Sequence, residues 1–309
     1  MAYKYSELLF GDIEEFQQNS TRGAILVPIN NSERARSAAS TAIRLANRFR
    51  LPLKLETFLT SDASDEDAYA ALQVLRETVS LQKAEPQAAA VIGIRRIADY
   101  WDDDEQGVAR SIIEAAAETN ASLIVLGVHS RRKLFSRTMT QKLLLDVATP
   151  VLITFVGDAR QWRRVVVAVD FSETSEPVAG LAVKWAPDAE IHFVHAIDGE
   201  LEPGKSDADF RDRMVRCQNG LESLAKGRCR RIEEHADHPA LSVSHHIVNG
   251  PTIQSLRRKI EELSADLLVL GTGGRNEPGK TALGGVAAAL IDQPPCDLLA
   301  ISNRCAVER

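Results

Sequence analysis

Two stretches in the second half of the chain carry residues that could hold a phosphorylated ligand. The first is the apolar run VVVAV followed by Asp170, and the second is the glycine-rich stretch from Gly271 to Leu290. A carboxylate at a strand end can accept hydrogen bonds from ribose hydroxyls. Glycines let backbone N–H groups approach phosphate oxygens, and a following helix adds the positive end of its dipole. Together these residue types indicate a nucleotide site.

Both stretches also have a structural interpretation. Asp170 begins the sequence DFSETSE, which is typical of a helix N-cap, so its carboxylate either caps the next helix or faces a ribose. The glycines could form a flexible surface loop, although they are denser than a simple connection needs.

Residues Gly274 to Thr281 match the phosphate-loop pattern G-x-x-x-x-G-K-[ST] letter for letter. In that fold the loop follows the first strand, and later strands supply the acid that holds magnesium. Only 28 residues follow Thr281 (309 − 281), enough for one helix and one strand. We therefore exclude this NTPase fold and keep Lys280 as a candidate phosphate contact.

The elements that must position these residues occur twice along the chain. AILVPINNSERA and VVVAVDFSETSE are both apolar runs followed by capping residues, and ETNASLIVLGVHS matches ELSADLLVLGTGG. Each half closes with a short apolar run, at 150–155 and at 297–302. Apolar runs without alternation indicate parallel strands covered on both faces, and helical periodicity between them is clear at 32–48 and 211–234.

This alternation predicts an α/β fold of two tandem doubly wound domains, each with five parallel strands and four helices. We place the domains at 23–156 and 163–303, with the joint at Val156–Gln161. Residues 1–22 form an N-terminal extension without a counterpart in the second half, and a strap, a short helix and a disordered arm are all compatible with their sequence.

Composition excludes several classes of function. A net charge of −6 and 5% aromatic residues argue against nucleic-acid binding. The chain has no apolar run near the roughly 20 residues of a membrane span, and its N-terminus lacks the pattern of a signal peptide. All four cysteines lie in the second half without a CxxC pair, which favours the cytoplasm and argues against a disulfide framework or a zinc site.

Other polar clusters are better explained without a ligand. The acidic run Asp102–Asp104 suits a helix N-terminus more simply than a metal. His245 and His246 fall in a predicted strand, where neighbours point to opposite faces. His235 and His238 lack a third ligand for a metal. Since no nucleophile–base pair is evident either, we predict that the protein is not an enzyme.

The glycine spacing resembles a known family. Gly271-x-x-Gly274, nine residues, then Gly284-Gly285 is similar to G-x-x-G-(nine)-G-[ST], the ATP-binding loop of universal stress proteins. Four further segments resemble that family in the same order: VVVAVDFSE at 165–173, HAID at 195–198, IVNGP at 247–251 and ADLLVLG at 265–271. The resemblance covers 163–303 and, more loosely, 23–156.

The resemblance implies a sheet of order 3-2-1-4-5, which would place Asp170 beside Gly271. It implies ATP, with or without Mg²⁺, as a ligand of the second domain. The adenine would lie near Ala168, Val169 and Ala196, and Asp170 would face the ribose. The phosphates would meet the backbone of the glycine loop, with Leu270 packed nearby, at Gly271, Gly274, Gly284, Gly285 and Val286.

Departures from the family pattern set further expectations. Gly285 stands where the family has Ser or Thr, so one side-chain bond to phosphate is lost, worth about 0.5–1.5 kcal/mol. In the first domain Asn30 replaces the acid, Ser130 replaces a glycine and Arg137-Thr138 occupies the Gly284-Gly285 position. The first loop is also three residues shorter (26 positions from Gly271 to Asp297 against 23 from Gly127 to Pro150).

We therefore predict that the first domain binds nucleotide poorly or not at all. Its basic loop at 130–137 is a solvated loop or, alternatively, a contact for phosphate or an acidic partner.

The resemblance further implies a cytoplasmic stress-response protein in which ATP regulates the binding of a protein partner. The two domains would pair through their last strands as an internal pseudo-dimer, and two chains could pair again. Two alternatives stay open, namely a slow ATPase, with Glu277 or Asp198 near the γ-phosphate, and a scaffold that binds no nucleotide.

Overall fold

The computed structural model describes residues 4–10, 23–29, 33–80, 89–97, 104–127, 139–154, 161–172, 175–197, 212, 214–223, 242–273 and 283–302. The chain divides into two compact units, Met1–Arg160 and Gln161–Arg309. Each is an α/β domain and is described by itself. Among the described residues, no helix combines the length and apolar character needed to cross a bilayer.

The N-terminal unit alternates strands and helices, as the apolar runs predict. Its strands are β1 (Lys4–Phe10), β2 (Ala24–Pro28), β3 (Leu53–Leu59), β4 (Ala90–Arg96), β5 (Ala121–Gly127) and β6 (Val151–Thr154). Its helices are α1 (Glu33–Phe49), α2 (Asp65–Ser80), α3 (Asp104–Glu118) and α4 (Met139–Asp146).

Local sequence explains where these helices begin. At the start of α2, Ser64 Oγ accepts the N–H of Asp67, and Asp67 Oδ2 accepts the N–H of Ser64, which is a reciprocal cap. Helix α3 starts at Asp104, in agreement with the helix-terminus interpretation of the acidic run. Asp102 and Asp103 lie outside the described residues.

Five parallel strands of this unit run in the order β4-β3-β2-β5-β6, which confirms the predicted 3-2-1-4-5 sheet. The N-terminal extension adds a sixth strand that the sequence did not decide. β1 pairs antiparallel with the outer edge of β4, from Lys4 opposite Arg95 to Phe10 opposite Ala90. The domain therefore carries a covered edge that a five-stranded sheet would leave open.

The C-terminal unit has the same arrangement. Its strands are β7 (Arg164–Ala168), β8 (Glu190–Ile197), β9 (Val243–Asn249), β10 (Leu267–Gly271) and β11 (Asp297–Ile301). Its helices are α5 (Ser175–Trp185), α6 (Thr252–Glu262) and α7 (Gly285–Asp292), and residues 214–223 are also helical. All strands pair in parallel in the order β9-β8-β7-β10-β11.

Two predictions from the sequence can be compared with this unit, namely the exclusion of the phosphate-loop fold and the helix at 211–234. β10 is the fourth strand, and one helix and one strand follow it, so the excluded phosphate-loop fold is absent from this unit as described. The helix predicted at 211–234 is observed at 214–223, and residues 224–241 lie outside the described part.

One face of the N-terminal sheet buries a group of charged side chains. The carboxylate of Glu56, which is 1% exposed, lies 3.2 Å from Lys54 Nζ and 3.3 Å from Arg95 Nε. Arg95 also donates from both terminal nitrogens to Glu118, at 3.3 and 2.8 Å. Charges are buried at a large cost unless they are paired, so each member of this group depends on the others.

Candidate nucleotide site

The sheet brings the two predicted halves of the site to one edge. β7 and β10 are neighbours, with Val165 opposite Leu267 and Val167 opposite Val269. Asp170 follows β7 by two residues, and Gly271 ends β10. Because parallel strands end at the same edge, residues 101 positions apart (271 − 170) follow adjacent strand ends.

Asp170 is half-buried and holds the turn that starts α5. Its Oδ1 accepts the backbone N–H of Ser172 at 2.9 Å and the hydroxyl of Ser175 at 3.2 Å. Ser175 is the first residue of that helix. The capping interpretation is therefore correct for one oxygen. Oδ2 takes part in neither bond, so capping does not exclude a ribose contact.

The next residue, Phe171, has an unusual backbone conformation. Its φ of 59° lies in the left-handed region, which costs a residue with a side chain about 1–3 kcal/mol. Its ring lies 4.8 Å from the His195 ring, at a 54° tilt. A Cβ on Gly220 would come within 2.6 Å of the Phe171 ring, so the glycine leaves room for it. The ring thus packs between β8 and the helical segment 214–223.

His195 is a site residue whose role the sequence argument missed. It is buried, and its Nδ1 lies 2.6 Å from the carbonyl oxygen of Val169. A carbonyl only accepts, so Nδ1 carries a proton and donates. Val169 also donates its N–H to the Val194 carbonyl at 2.9 Å. Both backbone groups of this predicted adenine neighbour are therefore fixed, next to the half-buried Ala168.

The N-terminal domain fixes its equivalent strand end in the same way. Thr57 donates its hydroxyl to the Ile29 carbonyl at 3.1 Å, and Ile29 donates its N–H to the Glu56 carbonyl at 2.9 Å. A threonine hydroxyl thus takes the role of the His195 imidazole. Asn30, which follows Ile29, lies outside the described residues.

The described ends of the glycine loop are tied to the sheet. Thr272 donates its N–H to the Ile301 carbonyl at 2.8 Å, and Gly284 donates its N–H to the Thr272 carbonyl at 2.9 Å. This second bond joins the start of α7 to the end of β10. It also uses the Gly284 N–H, which the family resemblance assigns to phosphate.

The N-terminus of α7 presents open backbone donors. Gly284 is its N-cap and makes no side-chain cap bond. The N–H groups of Gly285, Val286 and Ala287 have no acceptor within the described part of the chain. Gly285 is exposed, and no atom lies within 4 Å of a Cβ built on it. Free donors at the positive end of a helix dipole form an anion site.

Several predicted residues cannot be placed. Leu270 is buried and Ala196 is half-buried. Outside the described residues are Gly274, Gly279, Lys280, Glu277, Asp198, Ser130, the basic loop 130–137, Thr138, His235, His238, Cys229 and Cys305. No group of three potential metal ligands occurs among the residues that the structure describes.

His245 and His246 point to opposite faces of β9, as predicted. His245 stacks on Phe193, with ring centroids 6.2 Å apart. On the other face His246 Nε2 lies 3.3 Å from Nδ1 of the buried His192, whose Nδ1 is also 2.7 Å from Ser244 Oγ.

Burial lowers the pKa of both His192 and His246. The cation Lys259 adds to this effect on each imidazole. The carboxylates of Glu190 and Glu262 oppose it, on His192 and His246 respectively. The neutral imidazole is thus the form that this interior favours.

Comparison with known proteins identifies the class. The model of the universal stress protein family matches residues 21–154 and again residues 161–302, so the chain belongs to this family and contains two such domains in tandem. The universal stress protein E homolog of Haemophilus influenzae is 24% identical over 313 residues, covering 90% of this chain and 96% of that protein.

Two solved structures share the fold over nearly the full length. A universal stress protein from Archaeoglobus fulgidus superposes with a TM-score of 0.62 at 21% identity, covering 90% of this chain and 98% of that one. A putative universal stress protein from Pseudomonas aeruginosa gives a TM-score of 0.59 at 18% identity, covering 94% and 97%.

Proposed function

We propose that this protein is a cytoplasmic stress-response regulator whose C-terminal domain binds ATP. The observation that carries the proposal is the N-terminus of α7, whose first N–H groups have no acceptor among the described residues. The bond from Gly284 to Thr272 ties this helix end to β10, next to the strand end that carries Asp170. An anion site beside a half-buried carboxylate suits a nucleotide, which needs a place for phosphates and a partner for ribose hydroxyls.

The geometry refines the role of each residue. Ala168, Val169 and Ala196 would border the adenine, and His195 would hold Val169 in place. Asp170 would accept a ribose hydroxyl through Oδ2, since Oδ1 already holds the α5 turn.

The phosphates would take the N–H groups of Gly285 and Val286, together with Gly271 and Gly274 from the loop. We assign Gly284 a structural role, because its N–H already donates to Thr272.

We assign the bound ATP a regulatory role. Backbone amides and a helix dipole hold phosphates without supplying a general base. Nucleotide occupancy would then change how an unidentified protein partner binds. Hydrolysis would need an acid or base near the γ-phosphate, for which Glu277 and Asp198 are the candidates. The N-terminal domain would bind nucleotide poorly or not at all, because Asn30 and the shortened loop depart from the family pattern.

A charge reversal at Gly285 tests the proposal directly. The Gly285→Asp variant places a carboxylate where the phosphates would lie, in a position with no neighbouring atom to clash with. An acid in the first turn is compatible with the helix dipole, so the fold should keep its stability. We expect calorimetry with Mg-ATP to give about one site per wild-type chain, and affinity at least tenfold lower in the variant, because like charges repel.

The matched control is Gly285→Asn, which has the same size and no charge. We expect it to bind ATP much as the wild type does, with the same thermal unfolding as Gly285→Asp. Equal affinities in the Asp and Asn variants would place the phosphates elsewhere. Absence of ATP binding to the wild-type protein would reject the nucleotide proposal in favour of the scaffold.

A further inference from the structure

The outer edge of β9 is the counterpart of an edge that is covered in the N-terminal domain. Strand β4 is the third parallel strand of its domain, and β9 is the third parallel strand of the other domain. β1 pairs antiparallel along β4. Within the described part of the chain no strand lies along the equivalent side of β9.

The hydrogen-bond pattern shows which backbone groups this edge presents. Ser242 accepts from Ile191 and Gly250 donates to Ile197, so the even-numbered residues of β9 point their backbone groups toward β8. The odd-numbered residues therefore point theirs outward, because the direction alternates along a strand.

These outward residues are Val243, His245, Ile247 and Asn249. By register they match Ala90, Ile92, Ile94 and Arg96, the residues whose backbone faces β1.

Three outward residues of β9 have N–H and carbonyl groups that no described residue contacts on this side. No partner for Val243, His245 or Ile247 on this side occurs among the described residues. The fourth, Asn249, differs because its carbonyl accepts the Ser255 hydroxyl at 3.2 Å. Edge strands are commonly protected by charged side chains, proline or a bulge. The β9 sequence VSHHIVN contains no Lys, Arg, Asp, Glu or Pro, and its pairing with β8 is regular.

We propose that β9 of a second copy of this chain pairs antiparallel with this edge and joins the two C-terminal sheets across a twofold axis. β1 on β4 shows that an antiparallel strand fits this edge of the fold. β9 is its own suitable partner, because a strand without Lys, Arg, Asp or Glu brings no two such charges of like sign together.

A twofold axis through the His245 pair gives a hydrogen-bond partner to each outward N–H and carbonyl group of Val243, His245 and Ile247. It sets His245 opposite His245 of the second copy and Val243 opposite Ile247, so that all three residues exchange both of their backbone bonds. The open groups therefore specify the register of the proposed pairing.

Cysteine pairing tests this register. Residues of a hydrogen-bonded antiparallel pair have Cα atoms about 5.5 Å apart, which suits a disulfide. We expect His245→Cys to form a covalent dimer on mild oxidation. Val243→Cys is the matched control, because its two copies would lie about 13 Å apart in this register and could not be bridged. The wild type, with its four native cysteines, gives the background under the same conditions.

Oligomeric state tests the edge without relying on a cysteine. Sedimentation should show wild-type particles of twice the chain mass of 33.9 kDa. Ile247→Lys adds a protecting charge to the edge and should weaken dimerisation about tenfold or more. Val215→Lys places the same charge at an exposed residue of the helical segment 214–223 and should leave the dimer intact.

Three results would overturn the proposal. One is a monomeric wild type at every concentration tested, and another is a dimer that Ile247→Lys does not weaken. The third is equal cross-linking of His245→Cys and Val243→Cys.

Discussion

Restoring a hydroxyl at Gly285 should tighten nucleotide binding. The family pattern has Ser or Thr at this position, whereas this chain has glycine, which provides the backbone donor without a hydroxyl. The structure shows room for its return, since a Cβ at Gly285 meets no atom within 4 Å and the residue is exposed. Its φ lies outside the left-handed region, so serine can adopt the same backbone.

The size of the effect follows from one added hydrogen bond. A hydroxyl that donates to a phosphate oxygen contributes about 0.5–1.5 kcal/mol in net terms. This free energy corresponds to an affinity roughly 2- to 13-fold higher. Replacing glycine in the first turn also favours the helix slightly in the free protein, so stability and affinity need to be measured separately.

The assay is calorimetric titration of ATP into the wild type and two variants, Gly285→Ser and Gly285→Ala. Alanine adds the same Cβ without the hydroxyl, so it isolates the hydrogen bond from the change in helix propensity. We expect the serine variant to bind most tightly and the alanine variant to match the wild type. Equal affinities for serine and alanine, or weaker binding by serine, would show that no phosphate lies beside this position.

Three further perturbations test the packing and the buried titratable groups of the two domains. Gly220→Ala should cost about 1–3 kcal/mol in urea unfolding, because its Cβ would lie 2.6 Å from the Phe171 ring. Glu56→Gln should lower the free energy of unfolding of the N-terminal domain by about 3–5 kcal/mol, since it removes the buried carboxylate that Lys54 and Arg95 share. Burial holds the pKa values of His192 and His246 below the ordinary 6.5, so the unfolded state takes up protons first on acidification. The contribution of these two histidines to the free energy of unfolding should be complete above pH 6.5 and decline below it. The midpoint of urea unfolding, measured as a function of pH, checks this prediction.

Each of these predictions has a control within the chain. Asn219→Ala lies beside Gly220 on an exposed position and should change stability by less than about 0.5 kcal/mol. Glu261→Gln removes an exposed carboxylate and should be similarly mild. His246→Gln should flatten the acid response, and an unchanged response would assign it to other groups. A neutral effect of Gly220→Ala would mean that the Phe171 ring can move aside at little cost.

Much of the fold could be predicted because its signals are local and repeated. Uninterrupted apolar runs such as LLVL at 267–270 become fully buried strands, and parallel pairing follows from burial on both faces. The N-terminal strand β1 was not predictable in this way. It pairs only at one edge, and its sequence KYSELLF lacks the regular alternation of a half-buried strand, so a strap or a short helix is equally compatible with it.

The candidate site was predictable in its location and less so in its bonds. Asp170 and Gly271 are placed together by strand order alone. The hydrogen bond from the Gly284 N–H to the Thr272 carbonyl depends on the path of the loop between the two residues, and residue spacing alone does not predict that path. The sequence places His195 at a strand end but does not indicate its hydrogen-bonding role. Its role could have been predicted from its position, since a polar residue at a buried position near a strand end needs a hydrogen-bond partner. The backbone of the neighbouring strand is the nearest source of one.

The two domains have different titratable side chains at equivalent positions of the sheet. The register places His192 at the position of Lys54, because Val165 and Ile191 pair as Ile25 and Leu53 do. Of the seven histidines, only His129 belongs to the first half of the chain. A change from neutral to mildly acidic pH therefore protonates histidines mainly in the second repeat. Mild acid should therefore destabilise the second repeat more than the first, so that the unfolding transitions of the two repeats can be separated by pH alone.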